Sequence, residues 1–258
     1  MTSNAAKAAT LLDLHRAPAL LKVVNVWDVI TATVVADVEG TTALATASHS
    51  IAASYGYPDG ENIPVDLMIE AVGRIAAAVD LPVSADLEGG YGNPGETVRK
   101  AIGVGIVGAN VEDQMKPLAE AVAVVEAVLK AGEAEGVPIV LNARTDAFVR
   151  GRDRDPADVL ADAVERGRAY LDAGAPVVFV PGLLDEAQVT TLVEAFGPQR
   201  LTVIGVPGGL PLARLEELGV ARVSYGPFSQ QVALTALADL AIDVIAGGGL
   251  PEWNRPLN

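Results

Sequence analysis

The chain has 258 residues, with 18 Lys+Arg against 33 Asp+Glu and a formal net charge of −15. Half the residues are hydrophobic, 20% are charged and Cys is absent. This excludes a disordered chain and any disulfide scaffold, thiolate metal site or catalytic cysteine, and so acidic a chain is a poor partner for nucleic-acid phosphates or an anionic membrane surface. No run of about 18 apolar residues stands out, so no membrane span is expected. The N-terminal stretch MTSNAAKAATLLDLHRAP has no basic segment followed by an apolar core, which predicts a soluble cytoplasmic protein without a signal peptide.

In chain order, short β-branched runs alternate with longer amphipathic or Ala-rich runs. The predicted strands are 21–26, 42–47, 82–86, 106–111, 139–143, 177–180, 201–205 and 222–225. Predicted helices between and after them include 65–79, 118–134, 156–173, 185–196 and 228–245. The strands read as continuous apolar runs, as strands buried on both faces do. Gly40, Gly136, Gly174 and Gly219 stand where helices end before the next strand. Eight alternations predict a parallel (β/α)8 TIM barrel. A barrel of about 250 residues is one unit, so residues 1–258 are expected to form a single domain with a short N-terminal helix and a C-terminal helical tail.

Residues 103–108 spell GxGxxG. A dinucleotide fingerprint must follow a strand and open a helix. Here a helical stretch precedes the glycines and a strand follows them, so the motif reads as a helix-to-strand turn.

Polar residues collect just after the predicted strand ends, where a (β/α)8 barrel builds its active site. The clusters are Asn25-Val-Trp27-Asp28, Ser48-His49-Ser50, Asp86-Leu-Glu88, Glu112-Asp113 and Asn142-Ala-Arg144-Thr-Asp146. Asp86 and Glu88 are two apart, so an extended backbone points both to one side. Like charges at an apolar strand end are costly unless neutralised. Glu112 lies on the next strand, about 5 Å away in a barrel. Asp86, Glu88 and Glu112 are therefore either candidate ligands of one divalent cation or solvated caps at the strand ends. An all-oxygen set of few carboxylates suits Mg2+, which keeps waters and takes substrate oxygens. Arg144, on the following strand, either clamps a substrate carboxylate or pairs with a rim acid such as Asp146.

These residues, in order, resemble the isocitrate lyase / phosphoenolpyruvate mutase superfamily, and most closely its phosphonomutase-like branch. The resemblance runs through Asn25-Val-Trp-Asp28, Ser54-Tyr-Gly-Tyr-Pro-Asp59-Gly-Glu61, Asp86-Leu-Glu-Gly-Gly-Tyr-Gly92, Asn110-Val-Glu-Asp113 and Leu141-Asn-Ala-Arg-Thr-Asp146. It continues more weakly through residues 178–182 and 221–226. The resemblance implies a barrel of the phosphoenolpyruvate/pyruvate type, often with the last helix exchanged between subunits of a dimer or tetramer. It implies Mg2+ and a small 2-oxo or hydroxy acid, or a phosphonate, as substrate. Asp86 would be the nearest metal ligand, with Glu88 and Glu112 acting directly or through water. Arg144 would bind the substrate carboxylate, and Ala47, Ser48 and His49 would hold its other end. Asp59 matches an acid at the mouth of the site. The shared chemistry is an enolate next to a carboxylate, with a C–C or C–P bond broken or made beside it.

The chain departs from that pattern after Glu112. The lyases carry a mobile loop there, with a Lys-Lys-x-Cys-Gly type motif whose Cys is the acid or base. This chain reads Glu112-Asp-Gln-Met-Lys116-Pro-Leu-Ala and goes straight into a helix. Cysteine-based isocitrate cleavage is thus not expected, and Lys116 is either a stand-in or a solvated side chain. His49 stands where small or apolar residues are usual, and is either an acid/base or a wall of the site. Trp27 reads as packing beneath the site or a substrate contact. Two functions fit: a Mg2+-dependent lyase or mutase, and a weakly active or inactive homologue that binds a small carboxylate with Mg2+.

Overall fold

The computed structural model describes residues 3–252, so residues 1–2 and 253–258 of the expected domain lie outside the described residues. Nine parallel strand segments form one sheet: β1 (Leu21–Val23), β2 (Asn25–Val26), β3 (Leu44–Thr46), β4 (Val83–Asp86), β5 (Gly108–Glu112), β6 (Val140–Arg144), β7 (Val177–Val180), β8 (Leu201–Ile204) and β9 (Arg222–Ser224). Their spatial order is β1-β9-β8-β7-β6-β5-β4-β3-β2. β1 and β2 are separated by Val24 alone; β1 pairs with β9 and β2 with β3. The first stave is thus split in two, and the ring closes as the expected (β/α)8 barrel. Asn25 stitches the seam. Its Oδ1 accepts the backbone N–H groups of Tyr225 (2.7 Å) and Gly226 (2.9 Å), and its Nδ2 donates to the Thr46 carbonyl (2.8 Å).

The helices are α1 (Asn4–Arg16), α2 (Val29–Ala36), α3 (Ser48–Ser54), α4 (Val65–Ala78), α5 (Pro94–Gly103), α6 (Leu118–Ala134), α7 (Ala147–Arg150), α8 (Pro156–Asp172), α9 (Glu186–Phe196), α10 (Leu212–Glu217) and α11 (Phe228–Ile245). Local chemistry sets their starts. Asp28 and Asp185 each form a capping box, and Asn93 and Asp155 cap helices whose first residue is Pro. Strand side chains alternate. Val83, Ala85, Ala109, Leu141 and Val203 are buried on one face. On the other, Asn142 Nδ2 donates to Asn110 Oδ1 (2.8 Å) and Thr202 Oγ1 donates to Asn142 Oδ1 (2.7 Å). This polar chain crosses the barrel interior one layer beneath Glu112 and Arg144. The 103–108 glycines form the expected helix-to-strand turn: α5 ends at Gly103, Gly105 has φ +100° and β5 begins at Gly108.

The starting end of the strands is covered by α1. Leu11 presses against Gly108, where a Cβ would stand 2.6 Å from its side chain. One turn on, His15 is fully buried and its Nδ1 lies 2.8 Å from the Leu11 carbonyl. That contact makes Nδ1 the protonated nitrogen of the neutral ring. Burial, with the Arg222 guanidinium nearby, lowers the His15 pKa to about 3. In the unfolded chain the ring titrates near 6.5. Between these values the unfolded state binds the extra proton, so this contribution to stability is complete above pH 6.5 and is lost as pH falls toward 3. At about 1.4 kcal/mol per pH unit the loss reaches about 5 kcal/mol. Denaturant unfolding of wild type and His15→Gln at pH 7 and pH 4.5 is expected to show a smaller acid loss in the variant. Equal acid losses would contradict the assignment.

The final helix departs from expectation. By length and composition α11 is apolar enough to cross a membrane, where the sequence reading expects no span. Two aspartates, Asp239 and Asp243, interrupt its apolar surface. Only Gln230 is buried along it, and Val232, Leu234, Leu237, Ile242, Val244 and Ile245 are exposed. Gln230 ties the helix to the barrel by donating to the Ser50 carbonyl (3.1 Å) and Ser54 Oγ (3.2 Å).

Candidate active site

The rim at the carboxyl ends of the strands is where the predicted residues fall. Asp86 ends β4, Glu112 ends β5 and Arg144 ends β6. Asn110 stands opposite Asp86, and Glu112 opposite Arg144. Asp86 is held from both directions. Its backbone N–H donates to Thr46 Oγ1 (3.0 Å), while its Oδ2 accepts from Ser48 Oγ (2.7 Å) and the Ser48 backbone N–H (3.2 Å). Both donors go to one oxygen, and among the described residues none donates to Oδ1. Ala47 is buried at the start of α3, and its N–H donates to the Val26 carbonyl (3.3 Å).

Glu88 is 4% exposed and has φ +52°. Its Oε1 accepts from Tyr91 Oη (3.0 Å), and its Oε2 accepts the Glu61 backbone N–H. Glu61 in turn accepts the Tyr91 backbone N–H (2.5 Å) and, on its other oxygen, Gln114 Nε2 (3.4 Å). Glu61, Glu88, Tyr91, Gln114 and Met115 all have φ between 51° and 62°. Such a conformation costs a side-chain-bearing residue about 1–3 kcal/mol and concentrates at functional sites. Burial pushes the Glu88 carboxyl up to about 7; the donors from Tyr91 and Glu61 oppose this, and Asp86 and Asp59 add to it.

Glu112 and Arg144 form an ion pair, with Nη1 2.8 Å from Oε2. Arg144 also gives Nε and Nη2 to Asp146 Oδ1, both at 2.8 Å. Of the two expected roles, the structure shows the ion pair: Arg144 is paired with two rim acids, and its side chain keeps 21% of its exposure. Burial raises the Glu112 carboxyl above its usual range; Arg144 opposes the rise, and Asp146, Asp86 and Glu88 add to it. Burial works against the Arg144 charge, yet Glu112, Asp146 and Asp86 hold its pKa above the ordinary value.

This electrostatic picture bears on Mg2+. Among the described residues no three His, Cys, Asp or Glu side chains stand close enough to hold an ion together. The acids do not form a ready-made cage. They nevertheless repel one another, since Asp86 raises both Glu88 and Glu112. Burial and mutual repulsion make ionised carboxylates costly at this rim, and a hard dication would offset that cost; Mg2+ keeps waters through which Glu88 and Glu112 could reach it. Of the three acids, Asp86 is the one that would hold such an ion directly.

The remaining predicted residues spread out. Ser48 is buried against Asp86, while His49 beside it is exposed, because α3 begins here and each helical residue turns about 100° from the last. Asp59 is exposed in the loop before α4; its carbonyl accepts from Asn62 Nδ2 (2.7 Å). Lys116 lies in the five-residue turn between β5 and α6 and is half-buried. Trp27 is half-buried against the core, and its backbone N–H donates to Thr31 Oγ1 (3.2 Å). Sequence reasoning singles out Asp59 and misses Glu61 and Tyr91. The signal for Glu61 was the Asp59-Gly60-Glu61 turn, but only the positive φ at residue 61 shows which acid turns inward.

The fold is a (β/α)8 barrel whose carboxyl-end rim gathers several carboxylates and one arginine. The family model for phosphoenolpyruvate phosphomutase matches residues 11–245. The chain belongs to the isocitrate lyase / phosphoenolpyruvate mutase superfamily, whose members are lyases and mutases of small carboxylates. It is 32% identical over 241 residues to an uncharacterized protein of Mycobacterium tuberculosis, covering 93% of this chain and 90% of that one. It is 28% identical over 251 residues to 2,3-dimethylmalate lyase of Eubacterium barkeri, covering 90% and 84%. Among solved structures, a Burkholderia cenocepacia protein assigned as a phosphonomutase superposes with a TM-score of 0.85 at 42% identity, covering 91% of this chain and 98% of that one.

Proposed function

We propose that this protein is a Mg2+-dependent lyase or mutase. It breaks or forms a C–C or C–P bond next to the carboxylate of a small 2-oxo or hydroxy acid, without a thiol. The observation that carries this reading is the juxtaposition of Asp86, Glu88 and Glu112 with Arg144 at one rim. When bound, Mg2+ supplies Lewis-acid stabilisation of the charge that develops on a substrate oxygen. Asp86 would hold it, with Glu88 and Glu112 around its water shell. Arg144 turns its guanidinium fork to the substrate carboxylate, and the Asp146 side chain orients that fork. Ser48 fixes Asp86 through two hydrogen bonds, so the metal-facing oxygen is presented in one direction. Lys116, Asp59 and His49, which the structure spreads over three separate segments, are the groups to which we assign proton transfer. A panel of 2-oxo acids, 2-hydroxy acids and phosphonates assayed with Mg2+ and with EDTA tests the reading. Turnover of at least one compound, abolished by EDTA, is expected. Tight oxalate binding with no turnover across the panel would favour the inactive homologue, for which the short turn after Glu112 is the motive, since an open site does not exclude water.

We further infer that α11 is covered by a second copy of the chain, in a homodimer or homotetramer. An 18-residue helix with six exposed large aliphatic side chains and one buried residue leaves most of its apolar surface uncovered among the described residues. Asp239, Asp243 and the buried, hydrogen-bonded Gln230 disfavour a lipid environment. Light scattering is expected to give a multiple of the 26.5 kDa chain mass, and Leu237→Asp to shift it toward the monomer. A monomeric wild type that partitions into lipid vesicles would contradict this.

A further inference from the structure

We propose that Asp113 is a positioning residue that sets the Arg144 guanidinium through Asp146, and that α8 anchors it; this rests on the reading that Arg144 binds a small carboxylate. Asp113 follows Glu112 directly and is 4% exposed. Its carboxylate accepts four hydrogen bonds. Oδ1 takes the backbone N–H groups of Met115 (2.9 Å) and Asp146 (3.0 Å). Oδ2 takes Tyr170 Oη (2.6 Å) and Arg166 Nη1 (3.2 Å), both from α8. The Asp113 backbone N–H donates to the Arg144 carbonyl (3.0 Å).

The arrangement links an outer helix to the rim. Arg166 and Tyr170 fix Asp113, Asp113 fixes the backbone of residue 146, and the Asp146 side chain holds Arg144 Nε and Nη2. Arg144 then meets Glu112. Arg166 is itself held by Asp162 (2.8 Å) and donates to the Lys116 carbonyl (3.0 Å), so the same anchor closes the turn after β5. Burial and the neighbouring Asp113 charge raise the Tyr170 pKa, which keeps the phenol a donor. A free arginine side chain loses much rotamer entropy when it binds a ligand. One already held in a single orientation loses less, which is how pre-organisation strengthens binding. In the homologous lyases a long mobile loop follows this position, by resemblance; here the segment is a five-residue turn pinned at both ends.

The test is a double-mutant cycle on the full-length protein, read as oxalate affinity in saturating Mg2+, with melting temperature measured alongside. Asp113→Asn introduces an NH2 group facing donors and is expected to weaken oxalate about tenfold. In an Arg144→Ala background the same change is expected to have no effect on the residual affinity, because the group it positions is gone. A merely structural role lowers melting temperature and weakens oxalate equally in both backgrounds; that additivity would overturn the proposal. Should Asp113→Asn fail to fold, Arg166→Lys enters the same cycle, with a smaller non-additive loss expected and additivity again overturning it. Wild-type protein that binds no oxalate would overturn the underlying reading instead, so the two failures are distinguishable.

Discussion

Asp86→Asn is expected to weaken Mg2+ binding by more than about a hundredfold, a larger loss than removing an outer partner of a metal ligand produces, and to abolish turnover. The substitution is nearly isosteric, and Asn keeps an oxygen for Ser48 Oγ. Folding is therefore expected to survive. The metal-free variant should stay close to wild type in stability, because losing the Asp86 charge relieves Glu88 and Glu112 but also withdraws support from Arg144 and the buried Arg222. Thermal unfolding with and without Mg2+ separates the two effects. Mg2+ should raise the wild-type melting temperature, as any ligand of the folded state does, and leave that of Asp86→Asn unchanged. Equal stabilisation of both proteins would remove Asp86 as the direct ligand.

The second large effect is at Arg144. Arg144→Ala leaves Glu112 and Asp146 facing each other without their shared cation. Breaking a buried pair by removing one partner costs about 3–5 kcal/mol, so chemical denaturation should show a loss of that order. Oxalate binding in the presence of Mg2+ should fall by more than about a hundredfold, in the range measured for truncating one partner of a buried, hydrogen-bonded charge pair. Arg144→Lys separates charge from shape. Lysine restores one positive charge but not the planar fork that serves Asp146 and Glu112 together. It should recover much of the stability and little of the oxalate affinity. Full recovery of affinity by lysine would show that the fork is not used on the ligand.

Much of this architecture was legible in the sequence. The staves are buried on both faces and read as unbroken aliphatic runs; residues 177–180 match β7 at both ends. The break at Val24 was not legible, because it marks where the chain passes from pairing with β9 to pairing with β3, a seam that the Asn25 side chain ties to the 225–226 backbone. The apolar stretch 228–245 reads as a helix, but whether it packs inward depends on tertiary contacts, and here almost none of it does. At the site, Asp86, Glu112 and Arg144 were legible as charged residues at strand ends. Which charge meets which was not. Glu112 and Arg144 pair because the β5–β6 register sets them opposite one another, and spacing along the chain does not encode register. The inward turn of Glu61 and the outward placement of His49 depend on backbone dihedrals two or three residues long, which residue type alone does not specify.

The most direct test of the account is a calorimetric titration of wild-type protein with oxalate, with and without Mg2+. Saturable binding in Mg2+ that disappears in EDTA is the predicted result. No binding in either condition, or the same affinity in both, would contradict a rim built to present a small carboxylate to a metal ion.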